Sequence, residues 1–234
     1  MKNSWVKKLF KTNLKKDNSV GVDVHSDPQK KIKETNFVIT IGRELGSGGR
    51  KVAKKVAEKL NYDYYDKEII TKAAKDNGID ENLFNQIDEA DLDSFWFEFT
   101  KEAYDKDGKK TSFKEIAAAD KYFMIQSDTI REIAKNKGAV IVGRCSTYIL
   151  KNESKRIFIC ADEKDRIGRI KRSYKVSEEV AKDIMEKSDK KRENYHSYYT
   201  NQNWKDKNNY DLYINTSEVG IDGAVNMIIE LINK

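Results

Sequence analysis

Within the stretch Phe37–Leu60 (FVITIGRELGSGGRKVAKKVAEKL), four glycines fall in the eight positions from Gly42 to Gly49. Ahead of them Phe37–Ile41 is a β-branched run suited to a buried strand. Behind them Val52, Ala53, Val56, Ala57 and Leu60 recur at helical spacing. A glycine turn between strand and helix leaves backbone amides unshielded, and the positive end of the helix dipole adds to their pull on an anion. That is phosphate-binding chemistry. The usual phosphate loop is GxxxxGK[ST], with lysine on the outer phosphates and the hydroxyl on magnesium. Here Gly46, Ser47 and Gly48 supply the turn, but Gly49 stands at the lysine position and Arg50 at the hydroxyl position. Arg43, Arg50 or Lys51 could supply the charge, and Ser47 a hydroxyl. The alternative is a glycine turn that binds nothing.

Other residues carry weaker signals. Arg166, Arg169 and Arg172 fall at i, i+3 and i+6, so one helical face could aim them at one site. Beside Asp162, Glu163 and Asp165, the same pattern also suits a solvated, ion-paired face. Asp66, after tyrosines, could cap the next helix. Asp189 could pair with Lys190 or Arg192, and Tyr195, Tyr198 and Tyr199 could stack a base or pack on the core. Cys145 and Cys160 lack metal-ligand spacing and read as buried, reduced thiols. His25 and His196 are too few and too far apart for a histidine metal site.

The chain has 234 residues, 36% charged and 38% hydrophobic, so it needs a heavily ionic surface around an economical core. The net charge of +6 favours anionic partners, but no groove-reading module accompanies it, and nucleic acid is not expected. No apolar run reaches membrane-spanning length and no signal-peptide core is visible, which points to a cytoplasmic protein. Residues 1–35 differ from the rest. Trp5, Val6, Leu9, Phe10 and Leu14 could share a helical face among lysines, giving residues 1–16 a peripheral membrane or protein contact. The other reading is a solvated basic tail, joined by a linker around Pro28.

From Phe37 onward strands and helices alternate. Strands are expected at 37–41, 62–66, 139–144, 156–161 and 212–216. Helices are expected at 50–60, 67–77, 112–137 and 220–232, with a charged helical stretch from Glu163 to about Tyr199 and further helices within 79–110. This alternation implies a parallel sheet covered on both faces, with ligands at the carboxyl ends of its strands. Gly46, Asp66, Arg144 and Asp162 all fall at or just past such ends.

With these residues placed, the chain resembles the cytidylate kinase-like family, relatives of bacterial cytidylate kinase among the P-loop nucleoside monophosphate kinases. ITIGRELGSGGR, YYDKEII, VIVGRCSTYIL, RIFICADEKDRIGRI, SDKKRENYH and DLYINTSEVGID carry the resemblance, in that order, over residues 36–234. It implies a three-layer α/β, P-loop NTPase-like core with a parallel sheet, a helical monophosphate-binding insert (about 79–110) and a lid (about 163–199). It also implies transfer of the ATP γ-phosphoryl group, with Mg2+, to CMP or dCMP. Gly46, Ser47, Gly48, Gly49, Arg50 and Lys51 would bind the donor phosphates. Asp66, Arg144, Asp189 and Arg192 would bind the acceptor, and Arg50, Arg166, Arg169 and Arg172 would act in catalysis. Magnesium would be held through the phosphates, with Ser47 as a candidate ligand. Two departures stand out: the loop lacks lysine and Ser/Thr, and Cys145 replaces the aspartate that comes after the VGR-type arginine in cytidylate kinases. They keep open an alternative, a catalytically weak fold that binds nucleotide as a regulatory module.

Overall fold

Side-chain alternation in the first strand decides how the molecule is layered. In the computed structural model, which describes residues 37–66, 69, 76, 113–136 and 138–233, β1 runs Val38–Arg43. Ile39 and Ile41 point to one face, where they join Val52 and Val56 of α1 (Gly49–Leu60) and Val225 and Ile228 of the last helix. Val38 points to the other face and joins Ile69, Ile130 and Ile133. Period-2 alternation thus feeds two apolar layers from one strand, and both need a helical cover.

The remaining elements supply it. β2 (Asp63–Tyr65) is succeeded, beyond undescribed residues, by α2 (Phe113–Lys135) and then β3 (Ala139–Val142). A single short turn, α3 (Ser146–Ile149), leads to β4 (Ser154–Cys160). Helices α4 (Glu163–Tyr174) and α5 (Glu178–Thr200) precede β5 (Leu212–Asn215) and α6 (Thr216–Ile232). The sheet has five strands in the order β2-β3-β1-β4-β5, and every neighbouring pair is parallel. All carboxyl ends therefore lie along one edge, which brings Arg43, Asp66, Arg144 and Thr216 to the same rim.

This is the three-layer α/β core expected from sequence, with local corrections. The charged stretch after β4 is two helices, because Lys175 takes a left-handed turn (φ 56°) and Ser177 caps a new start by accepting from the Val180 amide (3.3 Å). A short helical turn from Thr216, capped by Asn215 accepting from the Ser217 amide (2.9 Å), precedes the last helix. The non-helical backbone of Gly220 (φ 69°, ψ 177°) separates the two, so the main helix starts about where expected. The expected insert at 79–110 and the segment 1–35 lie outside the described residues. So does most of the helix expected at 67–77, of which Ile69 and Asp76 are helical. Among the described residues, no helix is long and apolar enough to cross a membrane.

The end of α5 holds a buried histidine. His196 Nδ1 lies 3.3 Å from the Gln202 carbonyl and 3.1 Å from Thr200 Oγ1. Burial holds its pKa below the ordinary value, only partly opposed by the Gln202 bond. The folded state therefore binds fewer protons than the unfolded one. Its contribution to stability is complete above the unfolded value of about 6.5 and is lost as pH falls below it. Denaturant unfolding between about pH 6.5 and 5 should show stability declining by up to about 1.4 kcal/mol per pH unit, with a shallower slope in His196→Gln. Identical slopes would remove His196 as the cause.

Candidate phosphate-binding site

The chain leaves β1 at Arg43 and turns through Glu44–Gly48 into α1. Gly46 (φ 76°) and Gly48 (φ 83°) adopt left-handed backbone that other residues resist. Gly46 has a second constraint: a Cβ there would stand 2.7 Å from the Arg166 carbonyl oxygen, so α4 rests directly on the loop. Ser47 Oγ, fully buried, donates to the Glu44 carbonyl (2.8 Å) and accepts from the Gly49 amide (3.3 Å). Thr216 Oγ1 donates to the Ser47 carbonyl (2.6 Å). The amides of Gly46, Gly48 and Arg50 have no acceptor among the described residues. They sit at the positive end of a twelve-residue helix. Unpaired amides at that end form an anion cradle.

Side chains from α4 and α5 hold this cradle from behind. Arg166 donates from Nε to the Leu45 carbonyl (2.7 Å), pairs with Glu44 (3.4 Å), and makes a short contact with Asp189. Asp189 also accepts from the Leu45 amide (2.9 Å). Arg169 donates to the Gly46 carbonyl (3.1 Å) and Thr216 Oγ1 (3.0 Å). Arg192 donates to the Arg43 carbonyl (3.2 Å) and lies 3.4 Å from Asp189. Lys205 closes the other side of Glu44 at 2.7 Å. Arginines thus take the carbonyls of Arg43, Leu45 and Gly46, while the amides of Gly46, Gly48 and Arg50 stay without an acceptor among the described residues.

Toward β2 and β3 the balance of charge changes. Asp66, buried, lies 2.6 Å from Arg50 Nε and 3.6 Å from Arg43, and accepts from Tyr64 Oη (3.3 Å). Burial, with Arg192, Arg50 and Arg144 nearby and Asp66 only partly offsetting them, holds the Arg43 guanidinium down at about 9. Arg144 comes after Gly143 in a left-handed turn (φ 59°), and its side chain has no ion-pair partner among the described residues. Burial pushes the Cys145 thiol up, so it stays neutral despite Arg144. Burial likewise keeps the Tyr195 phenol protonated, where its oxygen accepts from Gln126 Nε2 (3.1 Å).

The structure therefore gathers Gly46–Arg50, Asp66, Arg144, Arg166, Arg169, Asp189 and Arg192 along one rim. It leaves Lys51 exposed on α1, and Arg172 exposed on α4. Ser47 does not suit magnesium, because its hydroxyl is buried and already bonded on both sides. Among the described residues no three of His, Cys, Asp and Glu cluster as a metal site. Tyr199 stacks on Phe123 (3.9 Å between centroids), Tyr195 meets both rings edge-on, and Tyr198 meets Tyr199 edge-on, so all three tyrosines pack together. Sequence reasoning missed Glu44, Lys205, Thr216 and Gln126. Only Glu44 had a local signal, an acid inside a phosphate loop.

A family model described as cytidylate kinase-like matches residues 38–218, most of the chain. The chain belongs to that family. Its membership supports phosphoryl transfer as the general chemistry. A comparison with curated proteins gave no match. Among solved structures, an uncharacterized protein from Eubacterium ventriosum is 30% identical, covering 85% of this chain and 99% of that one, with a TM-score of 0.64. Shikimate kinase from Bacteroides thetaiotaomicron is 13% identical (85% and 99% covered, TM-score 0.48). Deoxyadenosine kinase from M. mycoides is 20% identical (84% and 99% covered, TM-score 0.41). At those two scores the likeness says nothing about what this chain acts on.

Asp189 offers a direct test of the support behind the loop. Asp189→Ala leaves Arg166 buried with Glu44 as its remaining ion-pair partner among the described residues and strips the Leu45 amide of its acceptor, which should cost about 3–5 kcal/mol in urea unfolding. Asp189→Asn keeps an acceptor and should cost less. Small, equal losses would show that the loop is held by other contacts.

Proposed function

We propose that this protein transfers the γ-phosphoryl group of ATP to a pyrimidine nucleoside monophosphate, CMP or dCMP, releasing ADP and the nucleoside diphosphate. The observation that carries this reading is the rim's excess of fixed positive charge. Unpaired amides at the start of α1 offer a donor-phosphate site, and the Arg144 guanidinium, without an ion-pair partner among the described residues, offers an acceptor site across from it. Phosphoryl transfer through a loose transition state asks for positioning and for positive charge around the migrating oxygens, and such a rim supplies both. The acceptor phosphate is already an anionic nucleophile, so no general base is needed.

In this reading the predicted residues divide their work. Gly46, Gly48 and Arg50 present amides to the donor. Arg144 grips the acceptor phosphate bidentately, as guanidinium groups do. Asp66 orients Arg43 and Arg50. Asp189 and Arg192 fix the loop's position against α5, with Arg192 near enough to the rim to reach the acceptor as well. Arg166 and Arg169 act through the loop they hold, and Arg172 waits on the open side of α4. Residues 163–199, expected as a lid, then include the wall behind the loop. ATP would arrive with magnesium carried on its own phosphates. The cytoplasm is the compartment that supplies these nucleotides.

A second reading has a specific observation behind it. Gly49 lacks the lysine, Ser47 lacks a free hydroxyl, and Arg166 and Arg169 are committed to loop carbonyls, which suits a module that binds nucleotide without turning it over. One experiment separates the two. ATP and magnesium are supplied with CMP, dCMP, UMP, AMP or GMP, and the diphosphate product is measured directly. Turnover on CMP or dCMP, abolished in Arg192→Ala, supports the kinase. Arg144→Ala should raise the acceptor KM at least about tenfold while leaving the ATP KM nearly unchanged. Saturable nucleotide binding without turnover on any acceptor selects the binding module instead.

A further inference from the structure

Positions 43 and 49 face each other across the loop, and only one of them has room for a side chain. The start of α1 fixes how GxxxxGK[ST] falls on this chain. With Gly48 as cap and Gly49 as first helical residue, Gly49 takes the lysine position and Arg43 takes the first glycine. A Cβ on Gly49 would stand 2.5 Å from the Cβ and 3.0 Å from the Cγ of Arg43. Relative to the usual motif, the small residue and the cation have exchanged places.

The path of the Arg43 side chain shows where that cation goes. It crosses from Gly49 to β3, where Nη1 takes the space that a Cβ on Gly143 would need, and Nη2 lies 3.6 Å from Asp66. Gly143 immediately precedes Arg144. The guanidinium therefore sits between the amides of α1 and the arginine of the β3 turn. The other two candidates for the missing charge are poorer. Lys51 is exposed on α1, and Arg50, half-exposed, spends Nε on Asp66 at 2.6 Å. Arg43 is deeply placed, with 15% of its side chain exposed and, among the described residues, only a long ion pair for company. A buried cation so weakly compensated raises the free energy of the empty protein, and a phosphate that pairs with it removes that cost.

We propose that Arg43 is the cation of this phosphate loop, doing from the first position what lysine does from the seventh in the usual motif. The proposal rests on the phosphotransfer reading. As an acceptor oxygen bonds to the γ-phosphorus, the bond to the β–γ bridging oxygen breaks and its electron pair leaves with ADP. Arg43 stays protonated throughout and neutralises the oxygens of the group in transit.

The test uses the full chain with Arg43→Ala, Gly49→Lys and the double variant. Transfer from ATP, melting temperature, and calorimetric binding of inorganic tripolyphosphate are measured for each. Arg43→Ala should lower kcat about a hundredfold with little change in acceptor KM. Its melting temperature should hold or rise, which a purely structural arginine would not allow. The double variant, with lysine restored at 49 and space made for it, should recover at least about tenfold of that loss. Gly49→Lys alone fills both positions and should melt lower than wild type. Full kcat in Arg43→Ala, no recovery in the double variant, or an unchanged melting temperature in Gly49→Lys would each overturn the proposal. If wild type phosphorylates no monophosphate, the kinase reading fails by itself and tripolyphosphate decides. Weakened binding in Arg43→Ala, regained in the double variant, supports Arg43 as the loop's cation; equal binding in all forms overturns it.

Discussion

The buried contact between Arg166 and Asp189 is the interaction on which the rest of the rim depends. Neither charge could stay at that depth alone, and each is completed by the same short piece of backbone. Leu45 gives its carbonyl to the arginine and its amide to the carboxylate. The pair therefore does more than join α4 to α5. It fixes the orientation of a peptide in the loop, and Glu44 and Lys205 extend the lattice to the connection before β5. Replacing a buried ion pair by apolar side chains is often harmless to stability. Here such a replacement would leave two backbone groups without partners, which ties the charges to the loop's shape.

The parallel sheet contributes the second constraint. Because every strand pair is parallel, residues far apart in sequence end at one edge, and the chemistry of that edge is set by the residues at and just past each strand's carboxyl end. Three of these ends carry arginine or an arginine partner: Arg43 at the end of β1, Asp66 after β2 and Arg144 after β3. The helices behind the sheet supply the rest. The result, among the described residues, is a rim rich in guanidinium groups with too few carboxylates to neutralise it, a form of stored electrostatic demand for an anion.

Much of this was legible in the residues themselves. The β-branched runs ending in glycine located β1 and β3, and the helical spacing of Val52, Val56 and Leu60 located α1. Parallel order came from strand–helix alternation, and the resemblance to a kinase family drew Asp66, Arg144, Asp189 and Arg192 to one rim. What stayed hidden has a common cause. The i, i+3, i+6 spacing of Arg166, Arg169 and Arg172 says they share a face, but it cannot say that the first two meet carbonyl oxygens while the third meets solvent. The break at Lys175 left no glycine or proline to betray it, since a lysine took the left-handed turn that glycine usually marks. Glu44 and Lys205 find each other only after 161 intervening steps of chain have been folded into place.

Thr216 adds a consequence about time. Its hydroxyl holds the Ser47 carbonyl from 169 positions away, at the end of the last strand. Asp189 reaches Leu45 across 144 positions. On a ribosome the glycine loop emerges early, yet both of its clamps are made late, and domains tend to fold as their chain appears. The nascent loop thus has its sequence long before it has its shape. Only docking of β5 along β4 sets Thr216 beside Ser47 and completes the cradle. The loop's clamps are therefore complete only once β5 has docked.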